Sequence, residues 1–96
     1  MIHRDKLRAR LADEEARFIS THPKCRALHE RAKRSLLGGV PMNWMVRVPG
    51  AFPIFVERAS GSRFTDADGL DFLDLCLGDT GAMTGHAPPE TVAAVA

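Results

Sequence analysis

Between residues 4 and 20 the apolar side chains Leu7, Leu11 and Phe18 fall at spacings of four and seven, with charged residues on the other faces. That period predicts an amphipathic helix. Ser20-Thr21-His22-Pro23 interrupts it. Pro23 predicts the start of a second helix, because its fixed φ and missing N–H suit a first helical position. Cys25, Leu28, Ala32 and Leu36 give this second helix a narrow apolar stripe. Gly38-Gly39 predicts its end at a left-handed cap.

Residues 39–52 have neither period. Pro41, Pro49 and Gly50 surround the apolar cluster Met42, Trp44, Met45 and Val46, which predicts an irregular loop suited to packing against a partner that a chain this small need not contain. From Pro53 the period changes to two. Residues 54–58 read as a strand, 59–62 as a turn and 63–65 as the return strand. Asp66-Ala67-Asp68-Gly69 reads as a second turn, with Gly69 free to take positive φ. Residues 71–77 read as a third strand, with Leu73, Leu75 and Leu77 alternating against Phe72, Asp74 and Cys76. A glycine-rich loop covers 78–85, and Pro88-Pro89-Glu90 opens a further helix. Residue 96 follows two apolar helical turns with no glycine cap or cationic last turn, the pattern expected of an interrupted helix.

The fold class expected is α+β. It comprises two N-terminal helices, a pocket loop and a three-stranded antiparallel meander, divided as a helical arm (1–37), an irregular loop (38–52) and the start of a larger domain (53–96).

Composition changes this picture little. A chain of 96 residues, 45% hydrophobic and 26% charged, has globular proportions and room for one small domain. A net charge of +1 gives no global field toward nucleic acid or an anionic membrane. Ten of the thirteen Lys and Arg residues lie between Arg4 and Arg34, but Asp5, Asp13, Glu14, Glu15 and Glu30 are mixed among them. Mixed-sign charge on helices marks a solvated face, so no nucleic-acid partner is expected. No apolar run reaches membrane-spanning length, and Met1 is followed by a charged segment rather than the apolar core of a signal peptide. The cytosol is the compartment expected, with no membrane partner. Cys25 and Cys76 match no metal or redox spacing, and read as small apolar residues.

Candidate chemistry concentrates between residues 66 and 86. Asp66-x-Asp68-Gly69 has the opening of a calcium loop, but a third ligand before the glycine and a glutamate six residues after it are missing. A turn is the better account. Asp71 and Asp74, three apart on the expected strand, point to opposite faces and make a poor carboxylate pair. His86 lacks an orienting partner or a nucleophile at any recognisable spacing, so it is read as a structural histidine bonded to loop backbone. Glycines 78, 81 and 85 fit neither a Walker A loop nor a dinucleotide fingerprint. The loop therefore reads as lining a pocket of unspecified kind.

The order of these motifs is more specific than any one of them. Leu37-Gly38-Gly39-Val40 is followed by residues 53–74, with the pattern P-x-F-x-x-x-A-x-G-x-x-x-x-D-x-D-G-x-x-x-x-D, and then by a glycine-rich loop ending G-H-x-x-P. This resembles the N-terminal segment of class-III, fold-type-I aminotransferases, near the branch of glutamate-semialdehyde aminomutase. The resemblance implies amino transfer between an amino acid and a keto acid, pyridoxal 5'-phosphate (PLP) as cofactor, and a homodimer. The Schiff-base lysine and the phosphate-binding loops would lie downstream of this sequence. Lys6, Lys24 and Lys33 match no family lysine motif, so no catalytic, cofactor-binding or metal residue is expected here, and the isolated chain is expected to be inactive.

What the resemblance assigns to this segment is one side of a substrate pocket. Asn43, Trp44 and Arg47 stand where relatives place substrate-facing residues. Arg47 is the candidate carboxylate contact, because a guanidinium grips carboxylates with two N–H groups. Asp79, Thr80 and Met83 would lie in a second pocket loop. Relatives in the aminomutase branch carry an aromatic residue where this chain has Asp79-Thr80, which favours a transaminase. The alternative to a partial enzyme is a standalone binding or assembly module, using the apolar loop and strand edges.

Overall fold

The first helix, α1 (Arg4–Thr21), forms over the predicted stretch. None of its residues is buried, and Leu7 and Leu11 are 61% and 57% exposed. Its last turn is closed by side chains: Ser20 Oγ and Thr21 Oγ1 both donate to the Arg17 carbonyl (2.8 and 2.9 Å). Half-buried Phe18 stacks on His22 (centroids 4.2 Å apart) and meets Phe52 at 4.9 Å. The computed structural model describes residues 1–47 and 50–96. Val48 and Pro49, part of the expected pocket stretch, lie outside the described residues.

The second helix, α2 (Pro23–Ala32), begins at the predicted proline but ends before Leu36 and the glycine pair. Arg34 and Ser35 donate to carbonyls three residues back, at Arg31 and Ala32, tightening the chain out of the helix. The apolar stripe explains the early stop. Cys25 is fully buried, whereas Leu36 is 41% exposed, so extending the helix would gain little burial. A single 3-10 turn, Leu37–Gly39, follows. Gly38 and Gly39 take φ of 67° and 73°; a Cβ on Gly39 would stand 2.6 Å from the His29 ring, and one on Gly38 would stand 2.7 Å from Val46. His29 Nε2 donates to the Gly38 carbonyl at 3.0 Å. The stretch expected to be irregular contains a second 3-10 segment, Asn43–Arg47.

These elements belong to one of two units, Met1–Ile54. Among the described residues its buried apolar side chains are Cys25, Val40 and Phe52.

The other unit, Phe55–Ala96, is the antiparallel meander. It comprises β1 (Val56–Ser60), β2 (Arg63–Asp66) and β3 (Asp71–Leu73) in sequential order, followed by α3 (Pro89–Val95). The first strand starts and ends two residues later than predicted, because Ser60 pairs with Arg63 and leaves Gly61-Ser62 as the loop. A register irregularity between Val56 and Arg58 disturbs the start of the pairing. Phe64 and Phe72 are cross-strand partners and stack at 4.9 Å, the kind of pair that stabilises a sheet face. The Asp66–Gly69 turn is built as its composition demands. Asp66 Oδ1 accepts from the Asp68 and Leu70 amides (2.9 and 2.8 Å), and Gly69 takes φ 86°.

The third strand stops at Leu73 rather than 77. Asp74 ends it: its Oδ1 accepts from the Cys76 and Leu77 amides (3.0 and 2.8 Å), drawing the backbone into a turn. Leu75 is 89% exposed and Leu77 has φ 52°, so the alternation read at 73, 75 and 77 does not continue as pleated strand.

Candidate functional site

The loop leaving β3 has a closed base. Asp74 and His86, twelve residues apart, meet through His86 Nε2 donating to Asp74 Oδ2 at 2.7 Å. Both side chains are shielded, at 15% and 25% exposure. The Asp74 carboxylate therefore accepts three hydrogen bonds, two from backbone at Oδ1 and one from imidazole at Oδ2. The His86 contact, followed by the Leu77 and Cys76 amides, holds the Asp74 pKa below the ordinary aspartate value, against the opposing effect of burial. His86 also exchanges two backbone bonds with Gly61, at 2.8 and 2.9 Å. Gly85 permits that approach, since a Cβ there would stand 3.1 Å from Gly61 Cα.

Within this base the backbone is tightly wound. Leu77, Asp79 and Ala87 take φ of 52°, 59° and 48°, which L-residues rarely adopt. Gly78 and Gly85 supply two further left-handed positions. The Asp79 amide donates to the Cys76 carbonyl at 3.0 Å, while the Cys76 thiol donates to Asp79 Oδ1 at 3.2 Å.

All three residues expected in the second pocket loop stand on this segment. Asp79, Thr80 and Met83 are exposed, Met83 at 71%. Asn43, Trp44 and Arg47 share the 3-10 segment of the other unit. Trp44 is 54% exposed, and Arg47 is exposed with no carboxylate partner among the described residues. Each trio is thus gathered on one short segment.

The sequence reading missed the partner of His86. It placed Asp74 on a strand with its side chain opposed to Asp71, and it gave His86 only backbone to bind. The histidine does hold loop backbone, through Gly61, but its ring is held by a carboxylate. The sequence places this Asp and this His on either side of the segment with glycines at 78, 81 and 85, but their separation of twelve residues matches no motif.

A separate groove of about 380 Å³ lies on the meander, lined by Arg58, Ser60, Arg63, Phe64, Thr65 and Asp71, among others. Across it Arg58 Nε donates to Thr65 Oγ1 (3.1 Å), and Thr65 Oγ1 donates to Asp71 Oδ1 (2.5 Å). These three are cross-strand neighbours, so the register itself aligns the relay.

The residues present do not make a PLP site. The unit spanning residues 55–96 contains no lysine. Lys6 and Lys24 lie on α1 and α2, and Lys33, just after α2, is engaged by Glu30 at 2.8 Å.

Comparison with known proteins bears on the whole arrangement. No family model matches the chain. By sequence it is similar to glutamate-1-semialdehyde 2,1-aminomutase of Methanoculleus marisnigri, 43% identical over 72 residues, covering 75% of this chain and 17% of that protein. The enzyme of that name from Haloarcula marismortui is 41% identical over 71 residues, covering 74% and 16%. By structure, a glutamate-1-semialdehyde aminomutase of Pseudomonas aeruginosa in complex with PMP superposes with a TM-score of 0.83 at 40% identity, over 88% of this chain and 19% of that one. A β-phenylalanine aminotransferase of Variovorax paradoxus gives 0.78 at 30% identity over the same shares.

The segment is therefore a relative of the PLP-dependent aminotransferases, as its motif order implied. Its sequence relatives include glutamate-1-semialdehyde 2,1-aminomutases, of whose length it spans about one sixth.

Proposed function

We propose that this chain is part of a class-III aminotransferase that moves an amino group between an amino acid and a keto acid with PLP, and that the 96 residues alone do not catalyse it. The observation that carries this reading is the likeness to an aminomutase, at a TM-score of 0.83 and over 88% of this chain, combined with a coverage of only 19% of that enzyme. When bound in a complete enzyme, PLP supplies the aldehyde and the electron-withdrawing ring that amino transfer needs. The residues of this chain would shape one wall of the substrate site and exclude water from it.

In this reading Arg47 grips the substrate carboxylate, with Asn43 and Trp44 beside it. Asp79, Thr80 and Met83 are further substrate contacts on the loop that follows β3. Asp79 and Thr80 make that loop polar where the aminomutase branch has an aromatic ring, which favours transamination over aminomutase chemistry. The complete enzyme would work as a cytoplasmic homodimer, as the resemblance implies. Among the described residues, no helix is long and apolar enough to cross a membrane.

The decisive experiment is the intact mass of the endogenous product, read together with its in-frame sequence. A mass several times 10.5 kDa with a PLP lysine downstream supports a partial enzyme. A product of 10.5 kDa would replace this reading with the second one, a standalone assembly module. That alternative draws on the exposure of Met42, Trp44 and Val46, at 49%, 54% and 56%.

A further inference from the structure

We infer that Asp74 and His86 are positioning residues: their side-chain contact clasps the base of the 75–85 loop and holds Asp79, Thr80 and Met83 in one preformed arrangement.

Three features of the loop point the same way. First, the contact is short (2.7 Å) and shielded, and the same carboxylate also fixes the Cys76 and Leu77 amides. One side chain thus sets both the direction in which the chain leaves β3 and the place to which it returns. Second, the return is anchored twice, since His86 is tied to Gly61 through its backbone and to Asp74 through its ring. Third, Leu77, Asp79 and Ala87 occupy left-handed backbone conformations. Such conformations cost free energy and persist only where the surroundings over-determine them. Leu77 and Asp79 lie inside the loop and Ala87 directly follows His86, and Asp79 is itself one of the residues being placed.

A loop of eleven residues with exposed tips would otherwise sample many shapes, and each binding event would have to order it. Closing it at the base removes that cost before any ligand arrives. That the loop faces a substrate rests on the function proposed above. The clasp does not, because it is read without turnover, and the two can fail separately.

The test is NMR of the 96-residue chain, following amide exchange and the imidazole N–H of His86. In the parent chain the Leu77 amide and the His86 Nε2 proton should be protected. Asp74→Ala and His86→Ala should each speed Leu77 exchange by about tenfold or more, while amides of the β1–β2 pairing keep their protection. Asp74→Asn should separate the two roles. Its side-chain oxygen still accepts from Leu77, so that amide should exchange no faster than in His86→Ala, while the His86 imidazole proton loses its carboxylate and exchanges freely. His86→Gln, which keeps a donor, should restore part of the loop protection. Unprotected Leu77 and His86 in the parent chain would overturn the inference. So would loop exchange unchanged in both alanine variants, or loop and sheet losing protection together.

Discussion

Asp74 carries the clearest pH dependence. Its pKa in the folded chain lies below the ordinary aspartate value because His86, then the Leu77 amide, favour the ionised form. A depressed carboxylate contributes stability that is complete above its unfolded value and is lost as pH falls through its folded value. The window therefore opens near the ordinary aspartate value of about 3.9 and extends downward. The contacts at Leu77 and His86 should hold from neutrality down through the ordinary aspartate value and fail only below it, as pH passes the lowered folded value. Leu77 amide exchange, corrected for its intrinsic pH dependence, reads this directly. Protection that persists unchanged to the most acid pH at which the sheet stays folded would show that the Asp74 carboxylate does not hold the Leu77 amide.

A second residue-scale expectation concerns Gly39. Its φ of 73° is strained for alanine, and a Cβ there would meet the His29 ring at 2.6 Å. Moving that ring breaks its bond to the Gly38 carbonyl. Gly39→Ala should therefore cost about 2–3 kcal/mol, the sum of a left-handed alanine and one lost hydrogen bond. Denaturant unfolding measures it; a change under about 0.5 kcal/mol would show that the turn relaxes freely.

Among the elements, α1 gives a sharp contrast between periodicity and packing. Its apolar positions are spaced for burial, yet Leu11 is 57% exposed and the helix buries nothing. Leu11→Ala should shift the stability of this chain by no more than about 0.5 kcal/mol, because little apolar surface leaves water there. In a longer enzyme that covers this face, the same change should cost about 2 kcal/mol or more. Equal effects in both would mean that the face stays uncovered.

The helices, the meander and its turns were legible because each depends on local signals: Pro23 at a helix start, Asp66 and Gly69 in a turn, Phe64 and Phe72 in period two. The end of α2 and the end of β3 were not. Both were decided by something periodicity omits: for α2 the absence of a surface to cover Leu36, and for β3 the Asp74 carboxylate capturing two amides. The candidate loop was legible as glycine-rich, but its closure was not. Asp74 and His86 meet across twelve residues only because non-glycine residues adopt left-handed turns, and no spacing rule encodes that.

At the scale of the whole molecule, the function proposed above gives this chain substrate contacts and leaves the cofactor lysine to another part of the complete enzyme. Residues 55–96 contain no lysine, and the lysines elsewhere match no family lysine motif. The purified 96-residue chain should therefore transfer no amino group between amino acid and keto acid, and should leave added PLP spectrally unchanged. Turnover that survives repurification would sink the division of labour proposed here. The complementary expectation belongs to the longer enzyme, where Arg47 would meet the substrate carboxylate. A hydrogen bond to a charged group contributes about 1.5–3 kcal/mol, so Arg47→Leu should raise KM by roughly 10- to 100-fold. Arg47→Lys should recover only part of this loss, since an ammonium keeps the charge but not the two-pronged geometry. If both variants leave KM unchanged while the enzyme remains active, Arg47 is a surface residue and the carboxylate is held by another part of the enzyme.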